Sequence, residues 1–217
     1  MSAGKSQGSL FLIPTTWFFP MATIIDITIL ICYYNIMPMK VQNNSIILDY
    51  SELKKIVDAH KVLGHKIVCT VGSWDMLHIG HLRYLIKAKG QGDILIVGVD
   101  SDRGIKLYKK NELRPVIPQE ERMEMLKYQE CVDYVTLVND INENGKWQYE
   151  LIKTIRPNIF VATPEAYPEE QIKDIKMYSD KIIIFPRQAE KTSTTEIIER
   201  MIKKHLEAML SNVVKKG

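Results

Sequence analysis

The sequence predicts an α/β fold, Rossmann-like, with a parallel five-stranded sheet and helices on both faces. Three observations predict it. Short apolar, β-branched runs recur along the chain, stretches with helical periodicity separate them, and the first junction between the two patterns carries glycines and histidines. Repeated alternation of this kind implies right-handed crossovers and a parallel sheet covered on both faces. Ligands then belong at the carboxyl ends of the strands, near a switch in strand order.

The elements follow in order. Residues 50–63 form an amphipathic lead-in helix, with Leu53, Ile56, Val57 and Val62 among charged residues and Gly64 as its stop. Residues 66–71, 93–99, 134–138, 158–162 and 181–185 are the five strands, each short and dominated by Val, Ile, Leu or Phe. Helices are expected over 82–89, 119–128, 147–155 and 169–178, with a last one from Thr194 to about Leu210. The connection 101–118 reads as a long basic loop carrying Arg103, Lys106, Lys109, Lys110 and Arg114. Such a run is ordinarily a solvated face, though it could also cover a site.

At 217 residues the chain suits one catalytic unit with extra length at its ends. The expected division is an N-terminal extension at 1–38, a lead-in helix within 39–64, the main domain at 65–210 and a tail at 211–217. The net charge of +3 is spread over mixed-sign segments, so no broad basic face for nucleic acid is evident. Small anionic molecules are the expected partners. Cys32, Cys69 and Cys131 are few and widely spaced, which argues against a disulfide framework and for a reducing cytoplasm.

The extension is rich in large apolar side chains and uncharged from Ser6 to Ile25. Asp26 and the breaks at Pro14 and Pro20 make it marginal for the ~20 apolar residues a membrane helix requires. It reads as an upstream stretch preceding a true start at Met37 or Met39, as a membrane anchor within 10–37, or as an added packing element.

The chemistry concentrates at Gly72-Ser73-Trp74-Asp75 followed by His78-Ile79-Gly80-His81. Gly72 allows a sharp turn, and Gly80 removes a side chain where a ligand approaches the first helical turn. Free backbone N–H groups and the positive end of the helix dipole favour bound phosphate there. His78 and His81, three residues apart, share a helix face and can both donate to phosphate oxygens, stabilising charge as a pyrophosphate leaves. Zinc is a competing reading, but a closed site needs further ligands, and His60, His65 and His205 have no companion spacing. A buried core histidine is the plainer reading for either residue alone, less so for two bracketing a glycine. Ser193-Thr194-Thr195-Glu196 has the form of a capping box, and its hydroxyls and N–H groups can hold phosphate opposite the first helix start. Asp75 and Asp100 are further candidates, each also readable as a turn or cap residue.

This pattern resembles the signature of the cytidylyltransferase-like nucleotidyltransferases, with glycerol-3-phosphate cytidylyltransferase and the heptose-1-phosphate adenylyltransferase domain among its members. The resemblance runs from about Tyr50 to Ile202 and includes Gly98-Val-Asp-Ser-Asp102, Arg114-Pro115, Glu121-Arg122, Val132-Asp133 and Ser193-Thr194-Thr195. It implies nucleotidyl transfer: a phosphate oxygen of a phosphorylated sugar or polyol attacks the α-phosphorus of CTP or ATP and pyrophosphate departs. No protein nucleophile is needed, so catalysis rests on alignment and charge stabilisation. The resemblance makes His78, His81, Arg122 and Lys109 the catalytic set. Gly72, Ser73, Trp74, Asp75, Gly80, Asp100, Arg187, Ser193 and Thr194 become the nucleotide-binding set. No protein metal site is expected, and Mg2+ would arrive on the triphosphate, bridging its oxygens.

The chain departs from the family pattern in three places. Tyr108-Lys109-Lys110 stands where Lys-Gly is expected, and residues 188–192 are one residue longer than is common. Ala162-Thr-Pro-Glu-Ala-Tyr167 replaces a Gly-Asp-Asp or Gly-Gly-Asp segment, which leaves CTP against ATP open with a lean towards the heptose-phosphate adenylyltransferases. A coenzyme-type adenylyltransferase acting on FMN or a similar molecule is the runner-up, and a non-catalytic nucleotide-binding module the alternative from another class. A homodimer is compatible with the pattern, as is a monomer.

Overall fold

The computed structural model describes residues 45–109, 113–164, 166–190 and 192–214. The expectations about 1–38, Lys110 and Glu165 lie outside them. The described elements run β1 (Ser45–Ile46), α1 (Tyr50–Val62), β2 (Ile67–Gly72), α2 (Ile79–Lys89), β3 (Ile94–Asp100), α3 (Asp102–Lys109) and α4 (Gln119–Lys127). They continue with β4 (Tyr134–Val138), α5 (Glu150–Ile155), β5 (Ile159–Ala162), α6 (Glu169–Lys176), β6 (Lys181–Ile184) and α7 (Thr194–Val214).

The strands form a parallel sheet in the order β1-β4-β3-β2-β5-β6. The five expected strands are all present, and the two-residue β1 adds an edge too short to leave a sequence pattern. Every residue of β3 is buried, as a central parallel strand covered on both sides requires. One face packs Leu53 and Val57 of α1 and Leu151 and Ile152 of α5 against Phe160. The other packs Tyr84 and Leu85 of α2 and Leu126 of α4 against Leu95 and Val97.

From β2 the chain moves outward through β3 and β4, then returns to the other side of β2 as β5 and β6. The strand order therefore reverses between β2 and β5, and a crevice opens beyond their carboxyl ends. The junctions carrying the histidines and the Ser-Thr-Thr segment both lie at that end, after β2 and β6.

Three expectations about the connections need correction. Residues 102–109, read as loop, form α3, an eight-residue helix that buries Gly104 and Ile105. Gly104 packs closely there: a Cβ would lie 2.4 Å from Ile141 Cδ1, so the isoleucine side chain would have to shift. The helix expected from Trp147 begins only at Glu150, because Trp147 pairs back with Ile141 in an antiparallel bridge and Tyr149 turns the chain at φ 66°. The last helix continues through Val214, into the expected tail. Among the described residues, no helix is long and apolar enough to cross a membrane.

Candidate active site

At the switch point lies a cavity of about 750 Å³, within the range of small-molecule sites. His78, Gly80 and His81 from the start of α2, Arg187, and Ser193 and Thr194 from the start of α7 line it. Asp100, Tyr108, Lys109 and Arg114 line it from the β3 flank, and Trp147, Thr163 and Tyr167 from the segments after β4 and β5.

His78 is the N-cap of α2, and its Nδ1 accepts from the Gly80 N–H at 3.1 Å. The bond places the proton of the neutral ring on Nε2, leaving a donor for a ligand. His81 stacks on His78 with ring centroids 3.9 Å apart and meets the Trp74 ring edge-on at 5.5 Å. Burial, then the neighbouring His78 and Arg114, lower the His81 pKa to about 3. The same cause, followed by Arg187, lowers that of His78. Both rings therefore meet a ligand as neutral N–H donors at neutral pH. His81 Nδ1 is buried without a hydrogen-bond partner among the described residues.

Gly80 is a close-approach position. A Cβ there would stand 2.9 Å from His78 Cε1 and 3.0 Å from Ala189 Cβ, so its absence lets residue 189 pack over the helix start. That contact brings the connection before α7 beside α2. Ser193 caps α7 by accepting from the Glu196 N–H at 3.2 Å, and Arg187 pairs with Glu196 at 3.1 Å. Two helix N-termini thus face one cavity, a favourable setting for phosphate.

Asp75 has a different place from the one expected. It is wholly buried, does not line the cavity, and accepts from Arg114 Nε at 2.6 Å and from the N–H groups of Val116 and Ile117. Its carbonyl accepts from the Thr194 hydroxyl at 2.8 Å. One residue ties the loop after β2 to the segment before α4 and to the start of α7. Trp74 lines the cavity but spends its indole N–H on the Gly98 carbonyl at 2.9 Å. Gly72 and Ser73 line the cavity where β2 ends.

Arg122, expected as a phosphate clamp, is fully buried and absent from the cavity lining. Its Nε donates to the Ile117 carbonyl at 2.9 Å, and one terminal nitrogen donates to the Ser73 carbonyl. The other serves the Asp100 carbonyl at 2.8 Å and Asp102 Oδ1 at 2.7 Å. Four of the five N–H donors of a guanidinium are thereby engaged inside the protein. Arg114 meets the cavity instead, an arginine whose Arg-Pro pair was visible in the sequence but carried no assigned role. Lys109 also lines it, its ammonium 5.5 Å from the Tyr108 ring centroid. Partial desolvation and Arg114 lower its pKa.

Asp100 is the one carboxylate among the described lining residues, and its Oδ2 accepts from the Tyr108 hydroxyl at 2.7 Å. Burial raises its pKa to about 6 against the opposing effect of that hydrogen bond. No group of three His, Cys, Asp or Glu suited to a metal occurs among the described residues.

A family model described as cytidylyltransferase-like matches residues 69–200, a span that begins inside β2 and ends inside α7. The chain belongs to the cytidylyltransferase-like family. The enzyme class implied by the motifs, nucleotidyltransferase, is the class of that family. Among its relatives, a bifunctional protein HldE from Nitratiruptor sp. is 39% identical over 163 residues, covering 75% of this chain and 33% of that protein. The HldE of Geobacter metallireducens is 35% identical over 153 residues, 70% of this chain and 30% of that protein. The chain thus spans about a third of the length of the curated relatives it matches. Of solved structures, a lipopolysaccharide core biosynthesis protein from Thermoplasma volcanium aligns with a TM-score of 0.49 at 22% identity, over 58% of this chain and all of that one. The pantoate-beta-alanine ligase of Francisella tularensis aligns at 0.45 and 16%, over 68% of each chain.

Proposed function

We propose that this cytidylyltransferase-like domain transfers a nucleoside monophosphate from CTP or ATP to the phosphate of a sugar or polyol phosphate, releasing pyrophosphate. The convergence of two helix N-termini and two neutral imidazoles on one wall of the cavity carries the reading. Those groups offer donors without buried positive charge, suited to holding the β- and γ-phosphates as charge builds on them. Arg114 and Lys109, on the β3 flank, would neutralise the incoming phosphate and bring its oxygen into line with the α-phosphorus.

The attacking oxygen forms the new P–O bond as the bond to the bridging oxygen breaks, and the electron pair leaves with pyrophosphate. The attacking group is already an anion, so no general base is required. Mg2+ on the triphosphate would supply charge neutralisation across its oxygens. Arg122 acts at one remove, holding the Ser73 and Asp100 carbonyls in place. Similarity to the HldE proteins, together with the heptose-phosphate resemblance of the motifs, supports a sugar phosphate as co-substrate and ATP ahead of CTP.

Pyrophosphate release with each of CTP and ATP against a panel of sugar, polyol and amino-alcohol phosphates and FMN tests the proposal. Turnover with one nucleotide and a sugar or polyol phosphate is expected. Saturable nucleotide binding with no turnover on any pair would overturn it in favour of a binding module.

A further inference from the structure

Asp100 is out of keeping with the cavity it lines. The site takes two polyanions, yet a buried carboxylate stands at the end of β3 and forms no ion pair among the described residues. A carboxylate next to anionic ligands is unfavourable unless the ligand brings hydrogen-bond donors to it, because its oxygens only accept. Phosphate groups bring none at neutral pH. Hydroxyl groups do.

The surroundings hold the carboxylate for that task. The Tyr108 hydroxyl is spent on Oδ2, and no described residue donates a hydrogen bond to Oδ1. The residue's own carbonyl is fixed by Arg122, so the backbone behind it is held as well. Strand order separates it from the helix starts: Arg187, Ser193 and Thr194 follow β6, whereas Asp100, Tyr108 and Lys109 follow or end β3 on the opposite flank of β2. A triphosphate at the helix starts leaves the β3 flank to the second substrate. The charged and titratable groups acting on the carboxylate include Tyr108 and Lys109 from α3, Arg122 from α4 and Asp140 after β4, with Tyr50 of α1 and Tyr167 after β5 also coupled to it.

We propose that Asp100 is a specificity residue for the phosphorylated co-substrate, accepting hydrogen bonds from its hydroxyl groups, with Tyr108 as the positioning residue that aims it. The inference rests on the nucleotidyl-transfer reading for the identity of the second substrate. It names the class further: a hydroxyl-rich phosphate monoester, with a hydroxyl near enough to the phosphate to meet Asp100 while Lys109 and Arg114 hold the phosphate.

The test is calorimetric and kinetic, on the full chain. A hexose 1-phosphate and its monodeoxy derivatives are titrated into the wild type and Asp100→Asn in the presence of a non-hydrolysable triphosphate, and the KM for each is measured alongside. Asp100→Asn should weaken the parent sugar phosphate about 10- to 100-fold, the scale of a hydrogen bond to a charged group. It should leave triphosphate affinity within about twofold, and one deoxy derivative should lose nothing further on the variant. Tyr108→Phe removes the bond that lowers the Asp100 pKa, so KM should begin to rise at a higher pH as the medium is acidified. A purely structural tyrosine would not move that profile.

An equal loss for parent and every deoxy derivative would overturn the proposal, as would an unchanged affinity or a parent sugar phosphate that fails to bind the wild type. A parallel loss of triphosphate affinity would point to the ribose instead, and a shifted Mg2+ requirement to the ion. Either overturns it. Sugar phosphate binding through Asp100 without turnover would uphold the site while sinking nucleotidyl transfer, so the two readings fail separately.

Discussion

Arg122 separates a phosphate clamp from an internal rivet by a measurable amount. Replacing it with methionine keeps much of the volume and removes the guanidinium. Four bonds are lost, and the carbonyls of Ser73, Asp100 and Ile117 and the half-buried Asp102 carboxylate lose their partner. Breaking a buried charge pair from one side costs about 3–5 kcal/mol. Each stranded acceptor adds to the cost, and partial exposure of Asp102 reduces it. A net loss of about 3–5 kcal/mol corresponds to a Tm lower by roughly 6–20 °C for a domain of this size. Urea denaturation and calorimetry measure the loss, and titration with a triphosphate analogue at a temperature where the variant stays folded measures binding. An unchanged urea midpoint with triphosphate affinity lower by tenfold or more would refute the structural role and restore the clamp expected from sequence.

Other outcomes follow from the same geometry. His81→Ala should lower kcat about 10²- to 10³-fold, the usual cost of one transition-state donor, with a native circular dichroism spectrum; full turnover would remove the histidine from the mechanism. Because the folded-state pKa of His81 is about 3 against about 6.5 unfolded, the unfolded chain binds more protons between those values, and stability falls as pH drops through that window. Asp100, raised to about 6, works in the opposite direction between roughly pH 4 and 6. The histidine's share is therefore the difference between wild type and His81→Gln, whose urea midpoint should fall less steeply with acid. Gly80→Ala should impair turnover more than stability, since the added methyl must displace the His78 ring or residue 189; wild-type kinetics would show that the helix start tolerates the crowding.

The parallel sheet was legible because buried strands and amphipathic helices each leave a local period, and residues 66–71, 93–99 and 134–138 needed no tertiary information. The two helix starts were legible for a related reason. Capping and phosphate binding depend on residues adjacent in sequence, as at His78–His81 and Ser193–Glu196. α3 was hidden because its periodicity is short and carries Gly104, whose purpose is a contact with Ile141 37 positions away. The burial of Arg122 was hidden for the same reason: Arg122 and Arg114 are each an arginine near a helix start or a proline, and only the packed loops decide which of the two lines the cavity. The aromatic wall at Trp147 and Tyr167 had no local signal, being set by where the segments after β4 and β5 come to rest.

Asp75 joins parts of the chain that a reaction would otherwise treat as independent. Its carboxylate holds Arg114 and its carbonyl holds the hydroxyl of Thr194, so the cation proposed for one substrate and the helix start proposed for the other hang from a single residue. Strain introduced at either end has one shared place to relax. A double-mutant cycle between Arg114→Lys and Thr194→Val, read in triphosphate affinity, should therefore return a coupling energy beyond the ~0.5 kcal/mol that unrelated sites show. Strict additivity would mean that the two substrates sense each other only when both are bound.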